Sequence, residues 1–132
     1  MSLYRHSEVI LDQGTLIGTE VTTRVWRIRP AEGDAVTDPV QAWRCQVVAE
    51  RQGAGGINVR LQTSYDRELW ADAVVVDLGE DNDALVIPAI DVLAPFVRAH
   101  VGVSPAPEGQ TAPTWRARVR LVSNGPFKLQ PV

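Results

Sequence analysis

Apolar and polar residues alternate along most of this 132-residue chain. The alternation is sharpest over Thr114–Ser123, where Trp115, Ala117, Val119 and Leu121 share one side and Arg116, Arg118 and Arg120 the other. Over Ile57–Ser64, Ile57, Val59, Leu61 and Thr63 oppose Asn58, Arg60, Gln62 and Ser64. Val40–Arg51 puts Trp43, Cys45, Val47 and Ala49 on one face, and Phe96–Val103 does the same with Val97, Ala99, Val101 and Val103. A two-residue period is that of a strand with one buried face. Weaker runs predict further strands at Glu20–Arg29, Trp70–Leu78, Ala84–Ile87 and Phe127–Leu129, with one or two more in Tyr4–Ile17, broken near Asp12-Gln13-Gly14.

Turn-forming segments separate these runs. Ala31–Pro39 and Ser104–Pro113 read as long polar loops, Gly53–Gly56 as a hairpin, Tyr65–Leu69 as a turn and Gly79–Asp83 as an acidic turn. Pro88 and Pro95 bracket Ile90–Leu93 too closely for a long helix. Eight or nine strands at spacings of about 8–12 residues predict an all-β, two-sheet antiparallel sandwich, with a jelly roll as first choice.

Composition supports this reading. Nineteen valines suit pleated strands better than helices. The length fits one domain, residues 1–132. Cys45 is the single cysteine, so no intrachain disulfide forms. No apolar run is long enough to span a membrane as a helix. Glu8 and Asp12 fall where a signal peptide would be apolar, which predicts cytoplasmic synthesis. A net charge of −3 argues against a nucleic-acid module held by bulk charge.

Catalytic and metal-binding patterns are scarce. His6 and His100 have no carboxylate or cysteine at ligand spacing, and Cys45 sits on an apolar face. The motifs of nucleophile elbows, phosphate loops and zinc proteases are missing. Acidic pairs such as Asp66 with Glu68, or Asp72 with Asp77, are common on any acidic surface. Glu80-Asp81-Asn82-Asp83 reads as a solvated turn because it lacks the spacing of a calcium loop. No metal, cofactor or catalytic residue is expected.

The most distinctive local pattern is Leu61-Gln62-Thr63-Ser64-Tyr65-Asp66-Arg67-Glu68-Leu69-Trp70-Ala71-Asp72. Ser64 and Asp66 are placed to hydrogen-bond turn amides, and Trp70 to fold back over the hairpin. The segment resembles a hairpin of jelly-roll sandwiches, including sugar-binding modules and small structural proteins of tailed phages. Arg67 and Glu68 occupy the tip, where the family pattern has a glycine. Pro95–Val101 followed by Trp115–Leu121 resembles the closing half of the phage-type proteins. The resemblance implies a non-enzymatic particle component, such as a capsid-associated or head-decorating protein found in a virion or intracellular particle.

Arg116, Arg118 and Arg120 form an outward stripe, and Arg60 and Arg98 hold similar positions on other strands. If these strands share a sheet, its outer face is a guanidinium patch suited to a shell protein or another copy of the chain. The plainer alternative is cross-strand pairing with carboxylates. Nucleic acid ranks third, since outward aromatics and lysine are scarce. The alternative function is sugar binding by Trp70, Tyr65, Asp66 and Asp72, with Trp26 as a further aromatic candidate; Trp43 and Trp115 are expected in the core.

Overall fold

A computed structural model describes residues 6–30, 43–79, 83–90, 93–104, 106–110, 112–123 and 127–132. The alternating runs form strands: β1 (His6–Ile17), β2 (Val21–Thr22), β3 (Trp26–Pro30), β4 (Trp43–Gln52), β5 (Gly56–Ser64), β6 (Ala71–Leu78), β7 (Asp83–Val86), β8 (Ala89–Ile90), β9 (Phe96–Ser104), β10 (Thr114–Ser123) and β11 (Phe127–Pro131). The described residues contain no helix, and so none long and apolar enough to cross a membrane.

The strands form two antiparallel sheets. One runs β1-β10-β4-β7, with β8 also against β4; the other runs β11-β3-β9-β5-β6, with β2 also against β9. β2 and β3 lie in succession along one edge of β9, and β7 and β8 along one edge of β4. Taking each of these couples as one interrupted strand gives the order first, eighth, third, sixth in one sheet and second, seventh, fourth, fifth in the other. That is the order of a jelly roll, with β11 added beside β3. The strand segments outnumber the eight or nine expected because β2/β3 and β7/β8 are interrupted. Between β2 and β3 the chain leaves the ladder, and the Thr23 hydroxyl accepts the Ala99 N–H at 2.9 Å. Between β7 and β8 the interruption falls at Pro88.

Two further expectations are corrected. Gly53–Gly56 is not a hairpin, because β4 and β5 belong to different sheets and the segment crosses between them. A charged side chain ties the crossing to β4: Arg51, on the inward side of β4 and buried, reaches the Gly53 and Gly55 carbonyls through Nη1. β1 is one continuous strand, which absorbs its irregular pattern in register shifts between Val9 and Leu11 and between Gln13 and Leu16.

The core lies between the sheets. Trp43, Cys45, Val47, Ala49, Trp115, Ala117, Val119 and Leu121 fill it from one side, and Trp26, Ile57, Val59, Leu61, Val97, Ala99 and Val101 from the other. Trp26, ambiguous in sequence, is therefore a core residue and offers no binding platform. Burying each valine, leucine or isoleucine among them contributes about 1.5–3 kcal/mol. Cys45 is sealed among them, and burial pushes its thiol up to about 12.

Two measurements check this packing. Cys45 is expected to resist an aromatic disulfide reagent in the native protein and to react on unfolding in denaturant. Gly55 and Gly109 both have left-handed φ values, +84° and +82°. At Gly109 an added Cβ meets nothing, whereas at Gly55 it would lie 2.6 Å from the Ser104 carbonyl oxygen. Gly109→Ala is expected to cost about 1–2 kcal/mol from backbone conformation alone. Gly55→Ala should cost clearly more, as read from urea midpoints.

Candidate docking site

Strand register decides which outward charges meet. On the outer face of the β1-β10-β4-β7 sheet, Arg116 stands opposite Glu50 and Arg118 opposite Asp12. Arg116 donates from Nε and Nη2 to the two Glu50 carboxylate oxygens at 2.6 and 2.7 Å. Arg118 donates from Nη2 to Asp12 Oδ2 at 3.2 Å. Hydrogen bonds from Arg116 hold the Glu50 carboxyl below its usual range against the opposing effect of burial, and charge attraction adds to them. Arg120 is partly buried and donates from Nη1 to the Ser7 hydroxyl at 3.3 Å.

Arg60 and Arg98 lie on the other sheet, so the five arginines do not form one patch. The condition for that patch fails because β5 and β9 pair with each other, away from β10. There, too, the guanidiniums have partners. Arg60 donates to Asp72 Oδ2 from Nη1 and to Asn58 Oδ1 from Nε, both at 2.9 Å. Arg98 donates from Nε to Gln62 Oε1 at 2.9 Å, and Gln62 in turn donates to Asp72 Oδ1 at 3.1 Å. The Arg98 guanidinium lies 4.1 Å from the centre of the Trp70 ring. Partial burial lowers the Arg98 pKa from its ordinary value.

The same contacts occupy the residues read as a sugar site. Trp70 folds back as expected, and its indole N–H donates to the Arg67 carbonyl at 3.1 Å. One ring face is covered by Arg98, and both Asp72 carboxylate oxygens are engaged. Asp66 Oδ1 accepts from the Glu68 and Leu69 N–H groups at 2.8 and 2.9 Å. The Ser64 hydroxyl oxygen accepts from the Asp66 and Arg67 N–H groups. Arg67 adopts φ 67°, the position where a glycine is usual. The backbone N–H donors of Leu69 and Glu68, followed by the Ser64 hydroxyl, hold the Asp66 carboxyl below its usual range.

This locked tip displays Tyr65 and Leu69, which are 78% and 80% exposed. Beside it lies a cluster that sequence reading missed. Phe96 pairs in register with Ser64 on one side and Arg27 on the other. The Arg67 and Arg27 guanidiniums lie 5.3 and 6.0 Å from its ring centre. Arg29 stands opposite Lys128, a like-charge pair that ordinarily destabilises a ladder. Arg27, Arg29, Arg67 and Phe96 line a shallow cleft of about 260 Å³ with residues 130–132. Among the described residues none of these three arginines has a carboxylate partner; Arg29 donates to Gln130 Oε1 at 3.0 Å. The alternation of Arg27 and Arg29 with Trp26 and Ile28 was visible in sequence, but their meeting with Arg67 depends on register.

His100 Nδ1 lies 2.8 Å from the Thr22 hydroxyl oxygen, and the cross-strand neighbour of His100 is Arg60. The described residues contain no metal-ligating cluster. The loop Ala31–Pro39 and the acidic residues Glu80–Asn82 lie outside the described residues, as does the side chain of His6. No protein-family model matches the chain, and a search of curated proteins returns no match.

The tip makes a pH prediction. Because folding lowers the Asp66 pKa, its contribution is complete above the ordinary aspartate value of 3.8 and fades as pH falls through the lowered one. The Glu68 and Leu69 amide resonances should titrate together with a midpoint below 3.8. Asp66→Asn should abolish that titration.

Proposed function

We propose that this protein is a structural or accessory subunit of a larger particle, such as a phage-like virion, and that it works by docking an acidic protein surface. The observation that carries this reading is the cluster Arg27, Arg29 and Arg67 around Phe96, without carboxylate partners among the described residues and next to the exposed Tyr65 and Leu69. Aromatic and arginine side chains together favour protein interfaces. The rigid tip reduces the ordering cost of association. The net charge of −3 and the exposed apolar side chains favour a protein partner over nucleic acid.

The stripe Arg116, Arg118 and Arg120 takes a lesser part here, since Arg116 and Arg118 already meet Glu50 and Asp12. Exposed pairs of this kind are weak because solvent screens them, and they lie on the opposite sheet from the Phe96 cluster.

The test is sedimentation of the tagged chain from its source cells. The wild type should travel with high-mass particles at low salt and leave them as salt rises. Arg27→Glu with Arg67→Glu should leave the chain at the top of the gradient while circular dichroism stays unchanged. Particle association that survives this double reversal, or a wild type that never enters the particle fractions, contradicts the reading.

A further inference from the structure

The edge formed by β7 and β8 has the features of a pairing strand without a neighbour. Both segments follow one register on β4: Glu50 opposite Asp83, Val48 opposite Leu85, Arg44 opposite Ala89 and Trp43 opposite Ile90. The Cys45 N–H donates to the Pro88 carbonyl at 3.0 Å. Pro88 therefore turns its backbone towards β4, and by alternation so do Ala84 and Val86. Asp83, Leu85, Ile87 and Ala89 then turn their N–H and C=O groups away from β4. The one missing N–H, at Pro88, falls on the covered side and leaves the outer edge intact. Among the described residues no strand pairs with that edge.

The side chains match this backbone. Leu85 and Ile87 are 63% and 52% exposed, and Val86 and Val48 are also exposed. Natural edge strands are usually guarded by lysine, inward charge, bulges or outward-blocking proline; the described part of this edge has only Asp83 at its end.

We propose that this edge pairs antiparallel with the same edge of a second copy, about a two-fold axis at Val86, joining two four-stranded sheets into one of eight strands. Leu85 then stands opposite the partner's Ile87, and Ile87 opposite the partner's Leu85. Asp83 stands opposite the partner's Ala89. The partner's Arg44, one strand further in, lies about 10 Å away between backbones, within the joint reach of an extended arginine and an aspartate. Arg44 and Asp83 are both exposed, with no carboxylate or cation partner among the described residues. This self-complementarity of apolar row, edge hydrogen bonds and end charges favours a second copy over a different protein. The edge is separate from the Phe96 cluster, so the proposal does not depend on what that cluster docks.

Native mass spectrometry and light scattering of the purified full chain test it. The wild type should have twice the 14.5 kDa chain mass. Ile87→Pro, which removes an outward N–H, should be monomeric with an unchanged circular dichroism spectrum. Asp83→Arg and Arg44→Asp should each weaken the dimer, and the two together should restore it; both sites are exposed, so this arm holds even if Ile87→Pro fails to fold. Arg27→Glu should leave the dimer intact. A monomeric wild type, an open-ended aggregate, or a dimer indifferent to all of these changes overturns the proposal.

Discussion

A pleated strand gives each side chain one of two faces, and the register between strands then decides which side chains on a face meet. Both halves of this constraint shape the molecule. Inward, it brings the valines, leucines and tryptophans of two sheets together as a core. Outward, it sets each arginine beside a definite neighbour across the ladder. Arg116 meets Glu50, Arg118 meets Asp12 and Arg60 shares Asp72 with Gln62, while Arg29 meets Lys128. A one-residue slip would exchange the two faces and break the core and the charge pairs together.

Two groups of arginines therefore stand apart. One, Arg60, Arg98, Arg116 and Arg118, lies on the sheet faces, where cross-strand carboxylates and amides meet it. The other converges on Phe96 from β3 and from the tip between β5 and β6, with no carboxylate partner among the described residues. Like charges held together by the fold destabilise the free molecule, and an acidic surface placed over them relieves that repulsion. The Ser64 and Asp66 network keeps Arg67 in place by fixing the tip that carries it.

The inward half of this arrangement was legible in the residues. Thr114–Ser123 carries the strand, its buried face and its outward arginines in ten positions, and β10 has those bounds. Ser64, Asp66 and Trp70 announced the tip and its hydrogen bonds. What the chain order hides is which sheet each strand joins. Gly53–Gly56 has the glycines of a hairpin, yet the segment crosses between sheets, which the strand pairing shows and the chain order does not. In the same way Arg60 and Arg98 looked like continuations of the β10 stripe and belong to the opposite face. Arg27 and Arg67, forty residues apart in sequence, meet only because β3 and β5 flank β9.

The division between satisfied and unsatisfied arginines is tested most directly by titrating the isotope-labelled protein with a short poly-glutamate peptide and following arginine side-chain and Phe96 resonances. The account predicts salt-sensitive shifts centred on Arg27, Arg29, Arg67 and Phe96, with Arg116 and Arg118 nearly still. Shifts centred on Arg116 and Arg118, or none at the Phe96 cluster, would contradict it.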